Sequence, residues 1–240
     1  MKRRTLLHAV PLALSGCMKT PGSGSPNPFP ARTYDDFNAW LNDARAATLP
    51  LLERGGARDP TRFVQLLALW AVAMPRFAVR EWQEVRGANA KLESASLASG
   101  KPFSISAFRM APGCIQPVHG HPGGGGLTLV HEGSLGIKHF DLVPGSTDYT
   151  TPGGAAEIAE STLAAVYSGR FTTFTPSVGN LHQLEAGSDG ALGVDILVQW
   201  SGTGAFSYFK PAEPISTAQG VIGDRHLGVW VGMDIAKAYR

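Results

Sequence analysis

A β-rich core, built as a sandwich or small barrel and preceded by a helical segment, is the fold class this sequence predicts. Three observations carry it. Glycine is abundant, 29 of 240 residues, and the second half alternates short apolar runs with turn residues, which is the rhythm of short strands rather than of a helical bundle. The spacing of apolar residues changes near Lys101, from helical before it to alternating after it. Finally, His119-Gly-His121 sits in a strand-like stretch, and alternate residues of a strand share a face, so the two imidazoles project together.

The first 17 residues read as a targeting segment. Lys2-Arg3-Arg4 is a basic head, Leu6 to Leu14 a short apolar run, and Leu14-Ser15-Gly16-Cys17 resembles a bacterial lipoprotein signal, in which Cys17 is lipidated and becomes the mature N-terminus. An ordinary secretory signal with an incidental Cys17 is the alternative. Arg3-Arg4 followed by Thr5-Leu6-Leu7 also resembles a twin-arginine signal, which exports folded proteins. The expectation is a chain in the bacterial periplasm or at the cell surface, tied to a membrane through Cys17. With Cys17 lipidated, Cys114 is the one cysteine left and has no disulfide partner.

Residues 18 to 32 are rich in Pro, Gly and Ser and read as a flexible tether. Residues 33–100 are assigned to a helical segment. Thr33-Tyr-Asp-Asp36 offers an N-cap with an acid three residues on, and Phe37, Trp40, Leu41, Ala44 and Ala47 share a helical face. Pro50 and Gly55-Gly56 interrupt it. Asp59-Pro60 opens a second helix carrying Phe63, Leu66, Leu67, Leu69, Trp70 and Val72. Pro75 ends or bends that helix, and a further helical piece is expected to run to Glu84.

Residues 101–240 are assigned to the β domain. Phe103 to Met110 alternates as a strand, and Leu127 to Val130, Ser134 to Leu142, Phe171 to Thr175, Leu192 to Gln199 and Phe206 to Phe209 follow. Turn chemistry separates them at Pro112-Gly113, Pro144-Gly145, Pro152-Gly153-Gly154, Pro176, Gly187 to Gly190 and Gly202 to Gly204. Val221 to Met233 adds one or two strands. A formal charge of +2 gives no broad basic surface for nucleic acid. No stretch after residue 20 approaches the roughly 20 apolar residues of a membrane-crossing helix.

The histidines carry the chemistry. Gly113-x5-His119-x-His121 and Pro176-x2-Gly179-x2-His182 resemble the two motifs of the cupins, small β-barrels of the jelly-roll type. A cupin usually has a glutamate four or five residues after the second histidine; here those positions are Gly125 and Gly126. His121-Pro-Gly, the twelve residues from His121 to Gly133, and Gly179-Asn-Leu-His182 resemble the thiol dioxygenase branch of the cupins, which includes cysteamine dioxygenase and the plant cysteine oxidases. The resemblance covers about residues 100 to 212. It implies a jelly-roll barrel, with His119, His121 and His182 on the family's three iron ligands. It further implies Fe(II) as cofactor, and a thiol and O2 as the small-molecule partners. Asp195 falls within one residue of an aspartate that faces the substrate amine in the family; a plain strand-end carboxylate is the alternative. Phe206-Ser-Tyr208-Phe-Lys resembles the family's next aromatic strand. The family's Pro-Pro-Tyr turn, whose tyrosine lies near the iron, is replaced by Val198-Gln199-Trp200-Ser201; Tyr208 is the candidate catalytic group in its place, and a Tyr208 without that role is the alternative.

The chemistry agrees with the resemblance. Three neutral imidazoles on one face of Fe(II) leave the ion its full charge and open positions on the other face. A thiolate neutralises part of that charge, and metal binding helps to form it near neutral pH. Oxidation then gives a sulfinate, and each imidazole is expected to donate its other nitrogen to a nearby acceptor. Two other readings are carried forward: a different metal-dependent cupin reaction, and a periplasmic metal- or ligand-binding cupin that does not turn over. His131 and His139 are read as structural, His8 and His226 have no assigned role, and Cys114 is read as a buried strand residue.

Overall fold

The computed structural model describes residues 33–52, 59–86, 88–121, 123–147, 151–200, 207–215 and 221–239. The expected signal segment 1–17 with Cys17, the tether 18–32, Gly55-Gly56, the turn Gly202 to Gly204 and Phe206 lie outside these residues. No helix among the described residues is long and apolar enough to cross a membrane.

Two helices come first. α1 (Phe37–Leu51) is capped by Asp36, whose carboxylate accepts from the Ala39 N–H at 2.7 Å. The acid expected in the first turn is thus itself the cap, and Thr33 lies outside the helix. α2 (Pro60–Val72) begins as its sequence predicts, with Asp59 accepting from the Arg62 N–H at 3.0 Å and Pro60 in the first turn. There Pro60 lacks only a donor that has no intrahelical partner anyway. The two helices are joined where the buried Trp40 indole donates to the Trp70 carbonyl at 2.9 Å.

The helical expectation for 33–100 needs correction after Val72. No helix runs on to Glu84: Gln83–Glu84 form a short strand β1, and Leu92–Ala98 form β2, paired antiparallel with β3 (Ser104–Met110) from Leu92↔Met110 onward. Pro75 disfavours helical backbone at Met74. Leu92-Glu-Ser-Ala-Ser-Leu-Ala takes strand form because β3 offers a partner for its backbone groups. The barrel therefore starts before residue 101.

The remaining strands are β4 (Ile115–Gly120), β5 (Gly124–Leu142), β6 (Ala155–Tyr167), β7 (Phe171–Phe174), β8 (Leu181–Gln199), β9 (Ser207–Pro211) and β10 (Arg225–Trp230), followed by a short helix α3 (Ile235–Tyr239). All named pairings are antiparallel. The circuit β8-β4-β9-β10-β6-β5 closes through β5–β8, with β3, β2 and β1 continuing from β8 and β7 flanking β5. Closure leaves few unpaired edges. The apolar faces of α1 and α2 pack on the outside of this barrel, against Ile105, Ala107, Leu127, Leu129, Val194, Ile196 and Val198.

Gly187 to Gly190 is not the end of a strand. β8 runs through it, and β5 runs through the facing Gly133. Gly133 and Gly190 both have positive φ, +73° and +74°, and a side chain at Gly133 would strike the Gly190 carbonyl. The β5–β8 register shifts here, between Val130 and Glu132 and again between Gly133 and Leu135. Before the break, Leu184 and Ala186 of β8 point into the barrel; after it, Ala191 does, while Val194 and Ile196 face the helices. The bulge thus changes which residues face inward from even to odd. His182 and Asp195 differ in parity, and this break lets both face the same interior.

Candidate metal centre

β4 carries His119, and His121 follows at its end; β8 carries His182, paired in register with His119. Directly opposed residues on antiparallel strands share a face, so the three rings converge. His119 Nε2 and His182 Nε2 are 2.8 Å apart, and His121 Nε2 and His182 Nε2 3.3 Å. Of the described residues, these three form the one group of histidine, cysteine and carboxylate side chains with ligand geometry, all ligand atoms lying within 4.8 Å of one another.

Neighbouring residues hold the rings. The His119 Nδ1–H donates to the Pro117 carbonyl at 2.9 Å, which leaves the Nε2 lone pair facing the other two histidines. Asn180 clamps the main chain of His121 from both sides: its Oδ1 accepts from the His121 N–H at 3.1 Å, and its Nδ2 donates to the His121 carbonyl at 3.0 Å. Phe174 stacks on His121 with ring centroids 5.0 Å apart and planes at 24°, and meets His182 edge-on at the same separation. His182 departs from expectation, since its Nδ1 is buried without a hydrogen-bond partner.

Burial lowers the pKa of all three histidines. His119 falls to about 4 against the opposing pull of the Pro117 carbonyl, and His121 and His182 fall well below their ordinary value, mutual repulsion adding to burial. All three are neutral at pH 7, the form that binds a metal. Two ligands at right angles around an ion with bonds of about 2.1 Å lie roughly 3 Å apart, and the 2.8 and 3.3 Å separations bracket that value. With each ring protonated at Nδ1, as the Pro117 carbonyl fixes for His119, all three Nε2 lone pairs turn to one point that a cation would occupy. The donor set therefore fits a metal ion.

No carboxylate joins them, and packing explains why. A side chain at Gly125 would come within 2.5 Å of the Trp200 ring and 2.9 Å of the Phe174 carbonyl, and one at Gly126 would run into the Ile196 carbonyl. These glycines are the place where β5 meets β8 and Trp200 too closely for any side chain.

His119 and His121 open onto a cavity of about 340 Å³ that Asp195, Gln116, Gln199, Tyr208 and residues of β2 and β3 also line. The sequence-predicted groups thus share one chamber. Asp195 stands opposite Thr128 across β5–β8 and accepts a 2.6 Å hydrogen bond from its hydroxyl. Burial raises the Asp195 pKa to about 6, and the Thr128 hydroxyl opposes this. Tyr208 pairs with His119 across β4–β9, their ring centroids 5.8 Å apart, and its hydroxyl accepts from Gln116 at 3.4 Å.

Sequence reasoning missed Thr128, Gln116, Asn180 and Phe174. Asn180 lay inside the second motif and carried a signal; the other three are visible only through cross-strand register. His139 stays outside the ligand set. It is held by the Gly179 carbonyl at 2.8 Å and the Thr172 hydroxyl at 3.1 Å. Cys114 is buried and free, ahead of β4 rather than on it, with burial raising its thiol pKa.

The family profile that matches is PCO_ADO, over residues 71–200, more than half of the chain. The chain belongs to the PCO_ADO family. That is a cysteine and cysteamine dioxygenase family, and PCO_ADO membership implies a dioxygenase that takes a thiol and O2. The match begins within α2 and ends at Trp200, so it takes in all three histidines and Asp195. No curated protein matches the sequence. Solved structures similar to it include the cupin domain of Cnp3 from Schizosaccharomyces pombe, at 12% identity over 50% of this chain and 68% of that one, TM-score 0.36. Another is a cupin-like protein from Thermotoga maritima, at 15% identity over 55% and 86%, TM-score 0.38. A third is KdgF from a Halomonas species, at 13% identity over 52% and 94%, TM-score 0.35. The closed antiparallel barrel with helices packed outside it is the fold class that the sequence predicts.

Proposed function

We propose that this chain is an Fe(II)-dependent thiol dioxygenase acting on an aminothiol or an N-terminal cysteine. The observation that carries the reading is the set of three neutral, convergent imidazoles without a carboxylate, opening onto a cavity with one acidic group. The reaction RSH + O2 → RSO2H places both oxygen atoms on sulfur and requires no further reductant. Fe(II) held by His119, His121 and His182 supplies, when bound, the redox centre and lowers the pKa of a thiol that coordinates it.

The chain's own residues do the rest. Asp195, ionised at pH 7, pairs with the substrate ammonium, and the Thr128 hydroxyl fixes the direction of its carboxylate. Tyr208 presents a phenol beside His119, and the Gln116 amide orients that phenol. The described cavity lining contains no lysine or arginine, so it matches an amine better than a free carboxylate.

The test is oxygen uptake by the chain reconstituted anaerobically with Fe(II) and offered cysteamine, cysteine, 3-mercaptopropionate or a peptide with N-terminal cysteine. The expected result is thiol-dependent uptake with a sulfinate product, lost in His182→Ala. No uptake from protein shown to hold stoichiometric iron overturns it. Export and anchoring through Cys17 belong to the same proposal, supported by Lys2-Arg3-Arg4 and Leu14-Ser15-Gly16-Cys17. Labelled palmitate entering the wild type and not Cys17→Ser is the expected outcome; equal labelling overturns it.

A further inference from the structure

The cavity exceeds the groups so far placed in it. A thiol of four heavy atoms, such as cysteamine, displaces about as much space as four waters, roughly 120 Å³, against about 340 Å³ available. The strand order locates the surplus. β3 and β2 extend the sheet from the second half of β8, past Asp195 and away from the histidine strand β4. Their contribution to the lining is Ser106, Ala107, Phe108, Ser94 and Leu92, with Val85 beside Leu92, to whose carbonyl its N–H donates at 2.8 Å.

This wall has a definite chemistry. Ser106 stands directly opposite Asp195 across β3–β8, and Ser94 opposite Phe108 across β2–β3. Opposed side chains lie about 5 Å apart, so the Ser106 hydroxyl sits one step beyond the carboxylate. Phe108 is laid over Gly193, where any side chain would collide with its ring. Two hydroxyls on an apolar surface, without a cation among the described lining residues, suit a neutral hydrogen-bonding group followed by an apolar one.

We propose that Ser94, Ser106, Val85, Leu92 and Phe108 form a second subsite. It selects thiols whose amine-bearing carbon continues through an amide into an apolar group. The inference rests on the thiol-oxidising reading above and deepens it. With the ammonium at Asp195, the adjoining carbonyl accepts from the Ser106 hydroxyl, and the apolar side chain one residue on packs against Leu92, Phe108 and Val85. A free carboxylate at the same place meets Asp195 and no counter-charge.

The experiment uses the Fe(II)-loaded full chain with cysteamine, cysteine, Cys-Leu-amide and Cys-Asp-amide at one pH. In parallel, metal-free protein is titrated calorimetrically with Ser-Leu-amide and Ser-Asp-amide, in which a hydroxyl replaces the thiol. The expected kcat/KM for Cys-Leu-amide exceeds that for cysteamine and for Cys-Asp-amide by about tenfold or more, and Ser-Leu-amide binds more tightly than Ser-Asp-amide. Ser94→Leu fills the far end and brings the Leu-to-Asp ratio near one, while Ser106→Ala raises KM for Cys-Leu-amide with kcat little changed. Equal kcat/KM for the two dipeptide amides in an active enzyme overturns the subsite. If no thiol is oxidised, the reaction assigned above fails, and calorimetry still decides the subsite: a leucine preference supports it, and equal or absent binding overturns it.

Discussion

Asp195→Asn removes the one charged group in the described lining of the cavity, and its effect on stability follows from the structure. Burial raises the Asp195 pKa from 3.8 to about 6. Between those values the folded protein keeps a proton that the unfolded chain has released. The native state therefore binds more protons, and stability falls as pH rises through this window. The contribution is complete below about pH 4 and gone above about pH 6. At roughly 1.4 kcal/mol per pH unit, it amounts to at most about 3 kcal/mol. The three histidines act with the opposite sign: their lowered pKa values favour folding above about pH 6.5, and that contribution is lost as pH falls. They are present in both proteins, so the wild-type minus Asn difference isolates the carboxyl. Urea unfolding of both metal-free proteins at pH 4, 5, 6 and 7, followed by tryptophan fluorescence, measures it. The wild type is expected to lose about 2–3 kcal/mol relative to the variant between pH 4 and 7. A difference flat to within about 0.5 kcal/mol would mean that Asp195 ionises as freely as in the unfolded chain, and the buried-carboxyl account would be wrong.

Three further outcomes follow from the packing. Gly126→Ala, which drives a methyl into the Ile196 carbonyl, is expected to cost about 3 kcal/mol or more in chemical unfolding, at or above the upper range for overpacking; a cost under about 1 kcal/mol would show that β5 can move away. Asn180→Ala frees the His121 main chain and is expected to weaken metal binding about 10- to 100-fold by competitive chelator titration, while unchanged affinity would make the clamp irrelevant to the ligands. Lys138 and Glu160 form a buried pair at 3.0 Å, with His226 Nε2 3.5 Å from the same carboxylate, so Lys138→Ala is expected to destabilise by about 3 kcal/mol, the low end for a broken buried pair, because only an imidazole is left to face the carboxylate. Lys138→Met combined with Glu160→Leu should recover most of that loss, and failure to recover would point to a dependence on the charges themselves.

Much of the metal centre was legible because its spacing is local. His-x-His on a strand needs no knowledge of tertiary structure to share a face, and the second motif supplied His182. The two helices were legible through their apolar faces and the Asp59-Pro60 start. Other elements were hidden for physical reasons. Ala155–Tyr167 reads Ala-Ala-Glu-Ile-Ala-Glu-Ser-Thr-Leu-Ala-Ala-Val-Tyr, rich in helix formers, yet it is strand β6 because β10 and β5 pair with it on either side. Leu92–Ala98 carries little apolar contrast and becomes a strand only by pairing with β3. Gly187 to Gly190 carries every local signal of a turn, and only the facing Gly133 shows that the ladder continues. The cavity wall beyond Asp195 was illegible because Ser94, Ser106 and Thr128 are ordinary strand residues until register sets them beside a carboxylate.

The break at Gly133 and Gly190 works as a counter. Surface loops usually absorb insertions and deletions with little consequence, and a glycine-rich stretch such as 187–190 looks like the safest place for one. Here a single added or removed residue would reverse the facing of everything downstream on β8. Asp195 would turn toward the helices, and Val194 after an insertion, or Ile196 after a deletion, would take its place in the chamber, with the histidines unmoved. Such a protein would lose its grip on an amine, and it would also force a side chain into the place beside Phe108 that only Gly193 fits. In relatives that act on the same substrate, length changes in this stretch should therefore come in even numbers or be absent.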